Sequence, residues 1–303
     1  VCLQALNILE QLDLQRLGHN TPHYIHMVTE ALKLAFADRE AFYGDPDFVP
    51  VPVDGLLSKD YAAARAKLIN PLEAAPGLPE YGDPWQYSSA KGSVSPQPAL
   101  SIGGSPDFQH ESGTTHISVV DQAGNMACAT PSGGAFDKSV FFSELGFAIS
   151  TRSEMFNLTA GHPNCVAPGK RPRTTIINFM LAKGGTPIMA IGCPGGDAQA
   201  QANLQLLLNT VVWGMNPQEA VESPRFSSLS VPNSFYPHDY LAGQLALEDT
   251  FPQSTLDALT NMGHHVTCVG TCGMGGTVTT RNPTTGVFAT GADPRRSCYA
   301  IGW

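Results

Sequence analysis

Between Pro71 and Gly113 the chain carries seven Pro and six Gly in 43 residues, and no apolar period is sustained across them. Such a stretch cannot continue a helix or join a central strand. It divides the sequence into two parts that must be built differently. Before it, apolar residues recur at helical spacing: Leu3, Leu6, Ile8, Leu9 and Leu12, then Ile25, Val28, Leu32, Ala35 and Phe36 behind the start signal Thr21-Pro22. Ser58 is placed to cap a third helix that Asn70-Pro71 ends. Residues 1–70 are therefore expected to be mostly helical, and 71–113 a mobile connector, since so long a stretch inside a domain carries function or is open to cleavage.

After Gly113 the period changes to that of strands. Thr115 to Val120 and Met126 to Thr130 flank a Gly-containing turn and predict a β-hairpin. Thr175 to Leu181, Ile188 to Ile191, Val266 to Val269, Gly276 to Thr280 and Val287 to Thr290 are further strands. The second of them breaks at Cys193-Pro194-Gly195-Gly196, and Asp197 opens a helix. Asn216-Pro217-Gln218-Glu219 has a cap, a proline at the first helical position and an acid at the third, which predicts another helix, and a last one covers Leu256 to Met262. Helices first and a mainly antiparallel sheet system after them define an α+β fold.

Composition narrows the function. Charged residues are 14% and apolar ones 42%, which suits a buried core and excludes disorder for most of the chain. The net charge is −9 and no basic run tracks a phosphate backbone, so nucleic acid is not an expected partner. No segment reaches the ~18 apolar residues of a membrane helix. Seven Cys, odd in number and scattered through strand-like context, read as buried thiols and not as a disulfide framework.

The strongest cluster of chemistry-bearing residues lies where connector meets strand: Ser112-Gly113-Thr114-Thr115-His116-Ile117-Ser118-Val119-Val120-Asp121. With Leu34 to Arg39, Gly44-Asp45-Pro46, His162-Pro163-Asn164, Pro168 to Pro172, Pro194-Gly195-Gly196, Pro224-Arg225-Phe226 and Ala292 to Arg295, in that order, it resembles the γ-glutamyltransferase family across nearly all 303 residues. The resemblance implies an N-terminal-nucleophile hydrolase, a four-layer αββα sandwich here lacking the family's N-terminal part. It implies self-cleavage between Gly113 and Thr114, with Thr114 as nucleophile. Residues 1–70 are then the helical end of a large subunit, 71–113 a connector ending at the cleavage site, and 114–303 the small catalytic subunit of a heterodimer.

The chemistry is coherent on the residues alone. A Thr hydroxyl is a weak nucleophile, but once its own amide is cut its α-amine, with a pKa of roughly 7.7–8.0, becomes an adjacent base. Gly113 tolerates the backbone that an attack on its carbonyl requires. Backbone N–H groups at a glycine turn entering a helix suit an oxyanion, and Gly195 and Gly196 match the family's pair. By the same resemblance Ser132 holds the nucleophile, and Thr174 and Thr175 contact the substrate carboxylate. The family positions that grip a glutamyl amino end fall here at Gly134, Arg152 and Met155. No acid stands there, and Arg152 favours an anion. Hydrolysis of another small amide, of an oxamate or cephalosporin type, then competes with γ-glutamyl transfer.

Other readings are weaker. A non-catalytic family member serving as a scaffold or binding protein is the alternative of another class. Cys193 stands beside the glycine turn without an assigned base and reads as a buried thiol. His19, His23 and His26 with Glu30 have helical metal spacing but read as surface histidines at a helix start, and His264-His265 with Cys268 and Cys272 lacks paired zinc spacings. No cofactor or metal is expected. The partner is a small amide substrate, and the compartment, which in the family is often periplasmic or extracellular, is left open.

Overall fold

The computed structural model describes residues 1–93, 101–103, 113–133 and 139–303, so Ser112 and Gly134 lie outside the described residues. The helices are α1 (Cys2–Leu9), α2 (Leu14–Leu17), α3 (Pro22–Phe42), α4 (Val53–Leu56), α5 (Lys59–Ala66), α6 (Ala198–Val211), α7 (Pro217–Glu222) and α8 (Gln253–Asn261). The strands are β1 (Ser101–Ile102), β2 (Ile117–Val120), β3 (Met126–Ala129), β4 (Phe141–Phe142), β5 (Phe147–Ala148), β6 (Asn178–Lys183) and β7 (Thr186–Gly192). They continue with β8 (Phe226–Ser228), β9 (Asp239–Tyr240), β10 (Gln244–Glu248), β11 (His265–Val269), β12 (Thr277–Arg281) and β13 (Phe288–Ala292). They divide into two compact units that interleave along the chain: Val1–Pro106 with Arg152–Thr174 and Phe226–Gly270, and Asp107–Thr151 with Thr175–Arg225 and Thr271–Trp303.

The first unit is built on α3. Its start is the expected one: the Thr21 side chain accepts the Tyr24 N–H and Pro22 occupies the first position. From Tyr24 onward almost every residue is buried, including Glu30, Lys33, Asp38 and Arg39. Buried charge must be paired, and each of these is. Lys33 meets Glu30 at 2.8 Å, Arg65 meets Asp38 at 3.2 Å, and Glu40 takes Arg39 at 2.6 Å and Arg173 at 3.1 Å. Beside α3 lies the sheet β11-β10-β8, in which β10 pairs parallel to β11 through the crossover helix α8 and antiparallel to β8.

The first half of the proline-rich stretch is tied down, which differs from a mobile connector. Ala74 N–H donates to Met262 O at 2.7 Å, Gly82 N–H to Asp38 Oδ1 at 2.9 Å, and Ser89 N–H to Asp54 Oδ2 at 2.8 Å. Side chains of the helical part and the distant Met262 carbonyl supply partners that no local period reveals.

The second unit holds the antiparallel sheet β13-β12-β7-β6. Val278 stands opposite both Ile191 and Gly291, so the three share one face. On that face a Cβ at Gly291 would lie 2.2 Å from Pro217 O, which seats α7 directly on β13. α7 carries the full capping box: Asn216 accepts from Gln218 and Glu219, and Glu219 returns a bond to Asn216 N–H at 2.9 Å. The opposite face, bearing Gly192 and Asn178, receives the β2–β3 hairpin, where Asn178 Nδ2 donates to Cys128 O at 3.1 Å. The hairpin turn forms as predicted, with Gly124 at φ 86° and Asn125 N–H on Asp121 Oδ1 at 2.8 Å. Ile117 and Val119, on the hairpin's outward face, are exposed. Helices on one side of a strand layer and a second strand layer on the other give the α+β class expected.

Candidate active site

The hairpin register sets the site. Ile117 pairs with Ala129 and Ser118 with Cys128, and the same ladder continues to a bridge between Thr114 and Ser132. Side chains alternate along a strand, so directly opposed residues share a face. Thr114 Oγ1 and Ser132 Oγ accordingly meet at 2.7 Å. Thr115 N–H donates to Pro131 O at 3.1 Å and Thr151 N–H to Gly133 O at 3.3 Å, which anchors both sides of the pair. Gly113, immediately before, has φ 95°, a conformation that glycine adopts without the strain a side chain would add. An open depression of about 610 Å³ lies over this point, lined by Gly113, Thr114, Thr115, Pro131, Ser132 and their neighbours.

Gly195 and Gly196 do not line that depression. They have φ 132° and 50°, so both positions favour glycine. Their carbonyls accept from the first turn of α6, Ala198 N–H at 2.9 Å and Gln199 N–H at 3.3 Å. No acceptor among the described residues takes their own N–H groups. The glycine turn thus offers donors at a helix N-terminus, where the helix dipole favours negative charge. Cys193 is fully buried, its Sγ 3.9 Å from Gln199 O, in keeping with a structural thiol.

Thr174 is exposed, whereas the Thr175 hydroxyl is enclosed and has no partner among the described residues. Two residues on, Ile177 N–H donates to Gln199 Oε1 at 3.3 Å, which ties this segment to α6. Arg152 belongs to the first unit. Its Nη1 approaches Met155 Sδ at 3.8 Å, its guanidinium lies 5.5 Å from the Phe235 ring centre, and burial lowers its pKa.

Most of the other motif fragments are architectural. Asp45 accepts the Arg171 backbone N–H at 2.8 Å, Nε at 3.1 Å and Nη2 at 2.6 Å, and these bonds hold its carboxyl well below the usual range. His162 Nε2 donates to Glu40 O at 3.0 Å, and Asn164 links Met155 O at 2.6 Å to Arg173 N–H at 2.8 Å. In the second unit Asp293 accepts from Arg225 at 2.9 Å and Arg295 at 3.1 Å.

His26 corrects an expectation. It is fully buried, not at the surface, because α3 is covered on nearly all sides. Its Nδ1 lies 2.9 Å from His264 Nε2 and its Nε2 donates to Asn70 O at 2.8 Å. His26, Glu30 and His264 bring ligand-type atoms within 4.8 Å of one another. The Lys33 ammonium on Glu30, however, already supplies that carboxylate's cation and opposes a second one.

The alternation that carries Thr114 also carries His116 and Ser118 on the same face, a relation that period two reveals but that motif reading passes over. His116 Nδ1 lies 2.8 Å from Thr130 Oγ1, and its Nε2 2.9 Å from Ser118 Oγ.

Helices and a hairpin layered on opposite faces of an antiparallel sheet, with a threonine at the start of the hairpin, give the N-terminal-nucleophile hydrolase fold. The family model described as gamma-glutamyltranspeptidase matches residues 1–303, and the chain belongs to that family. The "Glutathione hydrolase proenzyme" of Bacillus subtilis (strain 168) is 32% identical over 265 residues, covering 86% of this chain and 42% of that protein. The "Acylase ACY 1 proenzyme" of Pseudomonas sp. (strain V22) is 34% identical over 264 residues, 87% of this chain and 41% of its own length. Among solved structures, the cephalosporin acylase from Bacillus halodurans superposes with a TM-score of 0.78 at 30% identity, over 100% of this chain and 48% of that one. The chain thus spans less than half the length of these relatives.

Proposed function

We propose that this chain carries the nucleophile of an autoprocessing amide hydrolase or acyltransferase, with Thr114 Oγ1 as the attacking atom. The observation that carries the reading is the 2.7 Å Thr114–Ser132 hydroxyl pair at the edge of an open depression, directly after a glycine at positive φ. In the first step Thr114 Oγ1 adds to the Gly113 carbonyl and the peptide C–N bond breaks. An ester forms and the nitrogen, taking the hydroxyl proton, becomes a free α-amine. Water then hydrolyses the ester. The chain becomes two polypeptides, one ending at Gly113 and one beginning at Thr114.

In turnover the α-amine takes the Thr114 hydroxyl proton as Oγ1 attacks the substrate amide, and it returns the proton to the leaving amine. The acyl-enzyme passes to water or to an amine. The N–H groups of Gly195 and Gly196 suit the oxyanion, and by the family resemblance Thr174 and Thr175 meet a substrate carboxylate. Two of the relatives are named for glutathione hydrolysis and for acylase activity. No acid occupies the amino-end positions at Arg152 and Met155, so we favour an acyl group that carries a carboxylate and lacks an α-ammonium.

Intact-mass spectrometry of the full-length protein tests the first step. Fragments separated between Gly113 and Thr114 are expected, and Thr114→Ala is expected to stay whole. A parent that remains uncut on long incubation favours the non-catalytic scaffold. A panel of γ-glutamyl and simple carboxy-amide anilides then ranks the acyl groups.

A further inference from the structure

The polar face of the hairpin holds a second clamp beyond the Thr114–Ser132 pair. The ladder places His116 opposite Thr130, one step along from Thr114, with Ser118 one step further. Both imidazole nitrogens are engaged by hydroxyls, one on each strand: Thr130 Oγ1 at 2.8 Å and Ser118 Oγ at 2.9 Å. The ring is therefore held in rotation as well as in position. Beneath it lies Gly192, the last residue of β7. A Cβ there would stand 2.0 Å from His116 Cε1 and 2.2 Å from Nδ1, so the ring rests on bare backbone. Gly192 is three residues before Gly195 in the chain.

We propose that His116 is a positioning residue for the reaction at Thr114: clamped between two hydroxyls and seated on Gly192, it sets the distance between the nucleophile's hairpin and the strand that delivers the Gly195-Gly196 turn. The proposal rests on the reading of Thr114 as nucleophile. Burial pushes the His116 pKa down to about 4, which keeps the ring neutral with one donor and one acceptor. Hydroxyls rotate to serve either tautomer. With both nitrogens occupied, the ring acts through geometry and not as the base. Misplacement of reacting groups by about 1 Å costs on the order of 100-fold in rate, so the loss should fall on kcat and on scission while KM holds.

The test uses the full-length protein with His116→Phe, His116→Gln, Thr130→Val and Gly192→Ala. Scission at Gly113–Thr114 is followed by intact mass, kcat and KM are measured on the best anilide of the panel, and the folded fraction is read by circular dichroism. His116→Phe and Gly192→Ala are expected to slow scission and kcat roughly 10- to 100-fold with KM within about threefold. His116→Gln, which can bond one hydroxyl, should recover part of the loss. If His116→Phe or Gly192→Ala fails to fold, Thr130→Val decides, since it removes one clamp without changing volume; about a 3- to 10-fold loss in kcat is expected. Thr130→Val at parental rates, or losses that track the folded fraction alone, overturns the proposal. Thr114→Ala is run beside them: scission there means that the nucleophile reading has failed, not the positioning role.

Discussion

Asp293→Ala is the perturbation whose cost the structure determines most directly. Asp293 is fully buried and accepts four bonds: Arg225 Nη1 at 2.9 Å, Arg295 Nη1 at 3.1 Å, Arg295 N–H at 3.0 Å and Gly276 N–H at 3.2 Å. Arg225 is itself 2% exposed and Arg295 only 11% by side chain. Removing the carboxylate takes from two buried guanidinium groups the charge that Asp293 supplies to both, while Val221 O and Ser223 O still accept from them. Breaking a buried pair in this way costs about 3–5 kcal/mol. For a unit of this size each kcal/mol moves Tm by about 2–4 °C, so a fall of roughly 6–20 °C is expected by thermal circular dichroism. Asp293→Asn should lose most of the same amount, because its Nδ2 turns a donor toward a guanidinium. Asp293→Leu with Arg225→Met should recover part of it, since an apolar replacement removes one buried charge. A Tm of Asp293→Ala within about 2 °C of the parent refutes the argument that this network anchors the second unit.

Ser132→Ala removes the partner of Thr114 Oγ1 without changing the strand. About 1 kcal/mol of stability and roughly a tenfold loss in scission rate are expected, and unchanged scission by intact mass would remove Ser132 from the site. The buried histidines predict acid lability. Burial holds His162 and His116 at about 4 and His264 at about 3, below the ~6.5 of the unfolded chain. Between those values the unfolded state binds more protons, so stability is full above pH ~6.5 and falls as pH drops toward 4, by up to about 1.4 kcal/mol per pH unit for each histidine. Urea midpoints at pH 7.5, 6 and 5 check this, and His162→Gln should flatten the curve; a midpoint constant from pH 7 to 5 contradicts it.

What was legible in the sequence is what is local. Thr21-Pro22, Ser58 and the Asn216–Glu219 box mark helix starts because a cap needs only its own neighbours. The strand-turn-strand of 115–130 and the strand-glycine-helix of 186–211 follow from period and turn chemistry. Period two also places Thr114 and Ser132 on one face once the hairpin register is known. The long-range partners were not legible. Polar sequence hides the burial of α3: Asp38 and Glu40 meet Arg65 and Arg173 from far along the chain, and the local Glu30–Lys33 pair is completed by the Ala75 backbone. His26 reads as a surface residue until His264, 238 positions away, is brought against it.

The same division holds at the site. The sequence by itself determined that a threonine following a glycine stands at the head of a strand, and that a glycine turn opens a helix later, because backbone freedom and strand period are properties of short segments. Only the tertiary structure decided that Gly192 must be glycine so that the His116 ring can rest on it. That contact joins hairpin to sheet, and steric contact between segments some 76 positions apart has no trace in either one alone.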